Sequence, residues 1–176
     1  MIRGETPIVT AIPSAKTFPL SSAINQLGHL TLGGCDVVDL VTEFGSPLYV
    51  YDEQSLRTIA SSFISAFSSR HQKTDVAYAS KAFINVSLAR LLAGCGIGFD
   101  VVSGGEVAVL KAADVDPSRI YFHGNNKTVR ELTEALDWGV GRIVLDSFHE
   151  LSILEEIASG MGKIQPVMIR VSPGVD

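Results

Sequence analysis

Cysteine is scarce in this chain: the two present, Cys35 and Cys95, stand far apart, and neither has a Cys or His neighbour at metal-ligand spacing. Neither a disulfide framework nor a zinc site is expected, and a reducing cytoplasm suits such a sequence. Runs of basic residues are missing as well. The lysines and arginines are dispersed and the formal charge is -5, which argues against a nucleic-acid footprint or an electrostatic membrane contact. No apolar run approaches the length of a transmembrane helix, and the first thirty or so residues lack a basic segment followed by a sustained apolar one, so neither a span nor a secretion signal is expected. What the chain does have is 46% hydrophobic against only 19% charged residues over 176 positions, enough apolar material for one sizeable core. Any bound anion must then be held by local groups and not by a global field.

From Pro47 onward a short apolar strand, a turn and an amphipathic helix alternate. Strands are expected at Pro47–Tyr51, Val76–Ser80, Gly98–Val102, Arg119–His123, Arg142–Asp146 and Pro166–Val171. The later starting positions, 76, 98, 119, 142 and 166, step by 22, 21, 23 and 24 residues, a rhythm that implies parallel strands joined by helical crossovers. Ser103 with Glu106, Thr128 with Glu131 and Ser147 with Glu150 each match the capping box, in which a hydroxyl and a carboxylate satisfy free backbone donors reciprocally. The helix from Phe148 to about Ser159 is expected to stop at Gly160.

Two architectures suit this alternation, a doubly wound open sheet and a closed (β/α)8 barrel. The near-constant repeat, with no break where winding would reverse, favours the barrel, and six strands make it incomplete. A complete small open-sheet domain ranks second. Residues 1–46 differ in kind: a weakly ordered arm over 1–22, a short strand at His29–Leu32, a Gly33-Gly34 turn, and a helix from about Asp36 to Phe44. Residues 47–176 form the expected barrel portion.

In a parallel barrel the strands' carboxyl ends build the site. Those ends carry Asp52, Lys81, Asp100 with Ser103, His123 with Asn125 and Asn126, Asp146, and Arg170. Lys81 falls at a strand-to-helix junction in "YASKAFINVSLAR". Partly desolvated there, its amine would become a nucleophile for a carbonyl, whereas a lysine with its head in water would do nothing. Asp100 is a carboxylate inside a strand and needs a partner. Gly104 and Gly105 let backbone approach a ligand, although an ordinary capped turn explains Ser103 and Glu106 equally. "FHGNNKT" lacks the glycine spacing of a P-loop, and "GCGIGFD" comes after a helix and before a strand, the reverse of dinucleotide-binding order. His123 either faces a ligand or satisfies a carbonyl. Asn125 and Asn126 suit a left-handed turn, and Arg170 either holds an anionic oxygen or forms a structural ion pair.

"YASKAF", "GFDVVSGGE", "IYFHGNNKT", "VGRIVLDS" and "IRVSPGVD", together with "GHLTLGG" and "GSPLYVYDE", resemble the diaminopimelate decarboxylases in order and approximate spacing, from about residue 24 to 176. These enzymes are alanine-racemase-like, fold-type III users of pyridoxal 5′-phosphate. The resemblance implies that Lys81 carries the cofactor as a Schiff base. It also implies that Asp100 lies near that bond, Arg170 toward the ring hydroxyl, and Glu106 more indirectly, with His123 matching a family signature. The implied reaction converts meso-2,6-diaminopimelate to L-lysine and carbon dioxide, in a cytoplasmic homodimer. Decarboxylation of ornithine, arginine or a carboxylated polyamine, or pyridoxal binding without turnover, are the alternatives. "YASKAF" departs from the Tyr-Ala-Val-Lys-Ala-Asn of much of the superfamily, and Ser172 stands where asparagine is common. The family's last two barrel strands, phosphate cradle and C-terminal β domain have no counterpart in these residues. The chain therefore reads as the amino-terminal part of such an enzyme, inactive alone.

Overall fold

The computed structural model describes residues 17–174. Residues 1–16, most of the expected weakly ordered arm, and 175–176 lie outside the described residues. The chain divides into two compact units, Met1–Ser62 and Phe63–Asp176.

In the first unit, β1 (Ala23–Ile24), β2 (Leu30–Leu32) and β3 (Cys35–Asp36) form an antiparallel sheet followed by α1 (Val37–Phe44). The β1–β2 turn is made by Asn25, whose side-chain oxygen accepts from the Leu27 and His29 amides. Asp36 then caps α1 by accepting from the Val38 amide. The end of the expected arm is engaged, not loose: Ser21 donates to Asp52 and the Leu20 amide donates to Ser55. Asp52 also accepts from Ser55 and from the Gln54 amide at the start of α2 (Glu53–Ser68). It is thus a buried structural anchor within this unit, and its hydrogen bonds, Ser21 first, hold its carboxyl below the usual range.

Pro47–Tyr51, expected as the first barrel strand, is not a strand here. No described strand forms a ladder with it, and all five residues are exposed. Apolar content marked it, but a ladder also needs a hydrogen-bonding neighbour.

In the second unit β4 (Ala77–Ala79), α3 (Val86–Gly94), β5 (Gly98–Val101), α4 (Gly104–Ala112), β6 (Ile120–Phe122), α5 (Val129–Trp138), β7 (Arg142–Leu145), α6 (Phe148–Met161) and β8 (Val167–Ile169) alternate. All four strand pairs are parallel and the spatial order is β4-β5-β6-β7-β8. This sequential order, with a helix in every crossover and no reversal, is the winding of a (β/α) barrel and not of a doubly wound sheet. Five paired strands leave it incomplete.

Strand alternation sorts the two faces. Phe99, Val101, Ile120, Phe122 and Ile143 are wholly buried, as are Leu110 and Leu132 of the helices. The register Ala79, Asp100, Tyr121, Arg142 runs along the other face, whose residues keep some exposure. At the β8 edge Val167, Met168 and Ile169 are all exposed.

All three expected capping positions cap, in two ways. Thr128 and Glu131 form the reciprocal box at α5. At α4 and α6 the hydroxyls of Ser103 and Ser147 accept as expected, but Glu106 and Glu150 reach one residue further back, to the amides of Val102 at 2.9 Å and Asp146 at 2.8 Å. The residue that follows each strand is thereby clamped to its helix. Helix α6 runs through Gly160 and stops at Gly162, which takes the left-handed conformation that ends a helix.

Candidate active site

A polar residue stands at or just beyond the carboxyl end of every strand of the parallel sheet. Lys81 sits in a 3-10 turn, Ser80–Ala82, directly after β4. Asp100 lies near the end of β5, His123 follows β6, Asp146 follows β7 and Arg170 follows β8. The sheet's parallel order carries these five to one rim although they are scattered over ninety or so residues of sequence.

At its centre is Asp100. Its neighbour His123 Nε2 lies 3.5 Å from Oδ1, close enough to attract, and the buried Oδ1 has no hydrogen bond. Burial pushes the Asp100 carboxyl above its ordinary value, against the opposing pull of His123 and then Lys81. Lys81 is therefore within electrostatic reach of Asp100. The Lys81 residue is itself exposed, not desolvated at an apolar mouth as expected. Hydrophobic strands suggested an enclosed opening, whereas the described part of the sheet is open on this side.

Arg170 is tied to the rim. Its amide donates to the Leu145 carbonyl, continuing the β7–β8 ladder, and its guanidinium donates to Asp146 Oδ1 at 3.0 Å. More than half of the guanidinium side chain stays exposed, leaving donors free to meet a second anionic oxygen. Glu106 does not face the rim with both oxygens: one is spent on the Val102 amide, so it fixes the turn that follows Asp100. Asn125 and Asn126 are exposed beside Gly124, whose φ of 107° makes the loop's reversal.

Sequence reasoning missed Lys127. Its side chain is 1% exposed and its ammonium lies 2.6 Å from Glu150 Oε1. The contact is that of an ion pair, without a directed hydrogen bond to Oε1. The ammonium donates instead to the carbonyls of Gly124 at 2.5 Å and Val144 at 2.9 Å. A lysine inside "GNNKT" shows nothing of this, because its partner lies two elements away.

An amine, a carboxylate with a buried oxygen that has no hydrogen bond, an imidazole and a clamped guanidinium share the carboxyl rim of the parallel strands, an arrangement chemically able to take up a small carbonyl-bearing, anionic group. Residues 56–176 match the family described as pyridoxal-dependent decarboxylase, pyridoxal binding domain, and the chain belongs to that family. It is 46% identical over 156 residues to the diaminopimelate decarboxylase of Bacillus subtilis, covering 89% of this chain and 36% of that protein. With the Synechocystis diaminopimelate decarboxylase it shares 40% over 173 residues, 93% of this chain and 37% of the other. A crystal structure of diaminopimelate decarboxylase from M. jannaschii in complex with L-lysine superposes with a TM-score of 0.81 at 35% identity, over 86% of this chain and 36% of that one. The chain thus spans about a third of the length of these relatives. The cofactor of the family is pyridoxal 5′-phosphate.

Proposed function

We propose that the protein carrying this chain is a pyridoxal-phosphate-dependent carboxy-lyase that converts meso-2,6-diaminopimelate to L-lysine and carbon dioxide. The observation that carries the reading is the buried Asp100 oxygen, without a hydrogen bond, beside His123 and within reach of the Lys81 charge. Support from relatives is the 46% identity to a diaminopimelate decarboxylase. Residues 1–46 would serve as arm and lead-in, and 47–176 as the first portion of the cofactor barrel. A cytoplasmic homodimer fits the reading; among the described residues no helix is long and apolar enough to cross a membrane.

The residues present fit the cofactor. An exposed primary amine can condense with an aldehyde, and the open Asp100 lone pair can accept a hydrogen bond or hold a proton close by. In this reading Lys81 would be the residue that holds the cofactor through its amine. In its carboxylate form Asp100 would attract positive charge at the Lys81 end of the rim, an attraction that works against the cost of its burial. His123 limits the side from which that carboxylate can be approached. Arg170, held by Asp146, offers its remaining donors to an anionic ring oxygen. Glu106 acts on the turn after Asp100 and not on the ligand. The chemistry supplied by bound pyridoxal phosphate is an electron sink for the charge left when the carboxyl group departs.

The test is Lys81→Ala in the whole protein. The visible absorbance of lysine-bound pyridoxal is expected to vanish, together with carbon dioxide release from diaminopimelate. A retained band would remove Lys81 from the role. Turnover of ornithine or arginine in preference to diaminopimelate by the parent would overturn the substrate assignment.

A further inference from the structure

The loop after β6 and the turn after β7 bear two of the rim's residues, His123 and Asp146, and one buried side chain joins them. Lys127 is anchored at three points: the Gly124 carbonyl in its own loop, the Val144 carbonyl inside β7, and the Glu150 carboxylate in the first turn of α6. Its ammonium also lies 5.8 Å from the centre of the Phe122 ring, the last residue of β6. Glu150 in turn accepts from the Asp146 amide with its other oxygen. A continuous chain of contacts therefore runs from Gly124, next to His123, to Asp146, and on through Asp146 Oδ1 to Arg170.

A buried lysine and glutamate are an expensive way to fill space. Hydrophobic residues of the same volume often stabilise a fold as well or better, because both charges must leave water. At 1% and 9% exposure neither side chain recovers that hydration. What a charge pair does that leucine cannot is fix direction: three oxygens around one ammonium specify where the Gly124 carbonyl points, and hence where the preceding His123 ring stands relative to Asp100. Gly124 itself has φ of 107°, and a Cβ there would lie 3.1 Å from the Val102 carbonyl oxygen. That backbone segment has little room to find an alternative path.

We propose that Lys127, paired with Glu150, is a positioning residue of the site: it sets the loop that holds His123 against Asp100 and couples that loop to the Asp146–Arg170 end of the rim. The proposal rests on the reading of this rim as catalytic.

Lys127→Met alone strands a buried carboxylate and can fail by unfolding, so the informative variant is Lys127→Met with Glu150→Gln, which removes both charges and keeps an acceptor for the Asp146 amide. Four histidines are present in the chain, so the His123 ring resonance of the whole, cofactor-free protein labelled in histidine is assignable by substitution. In the parent, Asp100→Asn should shift that resonance. In the double-variant background the same substitution should shift it by less than a third as much, while the melting temperature stays near the parent's. In the loaded enzyme kcat should fall at least tenfold with KM changed less than threefold. An undiminished response of His123 to Asp100→Asn would overturn the proposal, as would recovery of kcat together with the melting temperature, which would make the pair a stabilising element only. The resonance measurement needs neither cofactor nor substrate. It therefore stands or falls separately from the Lys81 test of the proposed function.

Discussion

Glu131 ties the start of α5 to the start of α4, and removing it should cost more than an ordinary helix cap. One carboxylate oxygen accepts from the Gly104 amide at 2.7 Å, and the other from the Thr128 amide at 2.9 Å and the Thr128 hydroxyl at 2.8 Å. Gly104 is half-buried, so Glu131→Ala leaves its amide poorly hydrated; a hydrogen bond to a charged acceptor contributes about 1.5–3 kcal/mol. Thr128 is exposed and water replaces most of what it loses, so the cap adds roughly 0.5–1 kcal/mol. The sum is about 2–4 kcal/mol, a large share of a typical domain stability of about 5–15 kcal/mol. The pH dependence follows from the same contacts. The Thr128 amide above all, then the Gly104 amide, hold the Glu131 carboxyl below its ordinary 4.5 against the effect of partial burial. A carboxylate with a depressed folded value stabilises above its unfolded value and stops doing so as pH falls through the folded one. Urea unfolding of parent and Glu131→Ala should therefore differ most near neutrality, and the gap should begin to close only below pH 4.5. Amide exchange at Gly104 should accelerate in the variant. A difference below about 0.5 kcal/mol at neutral pH, the range of an ordinary surface change, or a gap indifferent to pH, would refute the reasoning.

Two further substitutions test the sheet and the rim. Gly141→Ala would place a Cβ 2.1 Å from the Ser118 carbonyl oxygen; since backbone must move, the expected loss is about 1–3 kcal/mol or more, read as a lower urea midpoint. Asp100→Asn, in the cofactor-free protein, should raise stability at neutral pH, because burial lifts the carboxyl above 3.8 and so penalises its charged form in the folded state. The sign requires that this gain shrink as pH falls from the raised folded value toward 3.8 and vanish below it; a destabilised variant at neutral pH would show that Asp100 is partnered as an anion.

The apolar periodicity and the turn chemistry made most of the second unit legible. Each of the strands expected around Val76, Gly98, Arg119, Arg142 and Pro166 appears within a residue or two of its expected limits, because a strand buried against helices must be apolar and bounded by turns. Asp100, His123, Asp146 and Arg170 could be placed at strand ends by position alone. The misses share a different origin. Pro47–Tyr51 has strand composition, yet it joins no strand ladder among the described residues. Gly160 looks like a helix stop, but Gly162 takes the positive φ. Glu106 and Glu150 were expected to bond their own caps, and a one-residue difference in reach sends them to the residues just after the strands instead.

By itself, then, the sequence determined the repeating strand-and-helix order, the residues at each strand's carboxyl end and, through "YASKAF" and its companion motifs, the family. These depend on local patterns of one side chain after another. The tertiary structure alone decided that the strands stand in sequential order, that Asp100 keeps an open oxygen beside His123, and that Lys127 reaches Glu150. Each of these depends on where separate segments meet, and the energy of a buried charge is set by what surrounds it in space, which neighbouring letters in the chain do not contain.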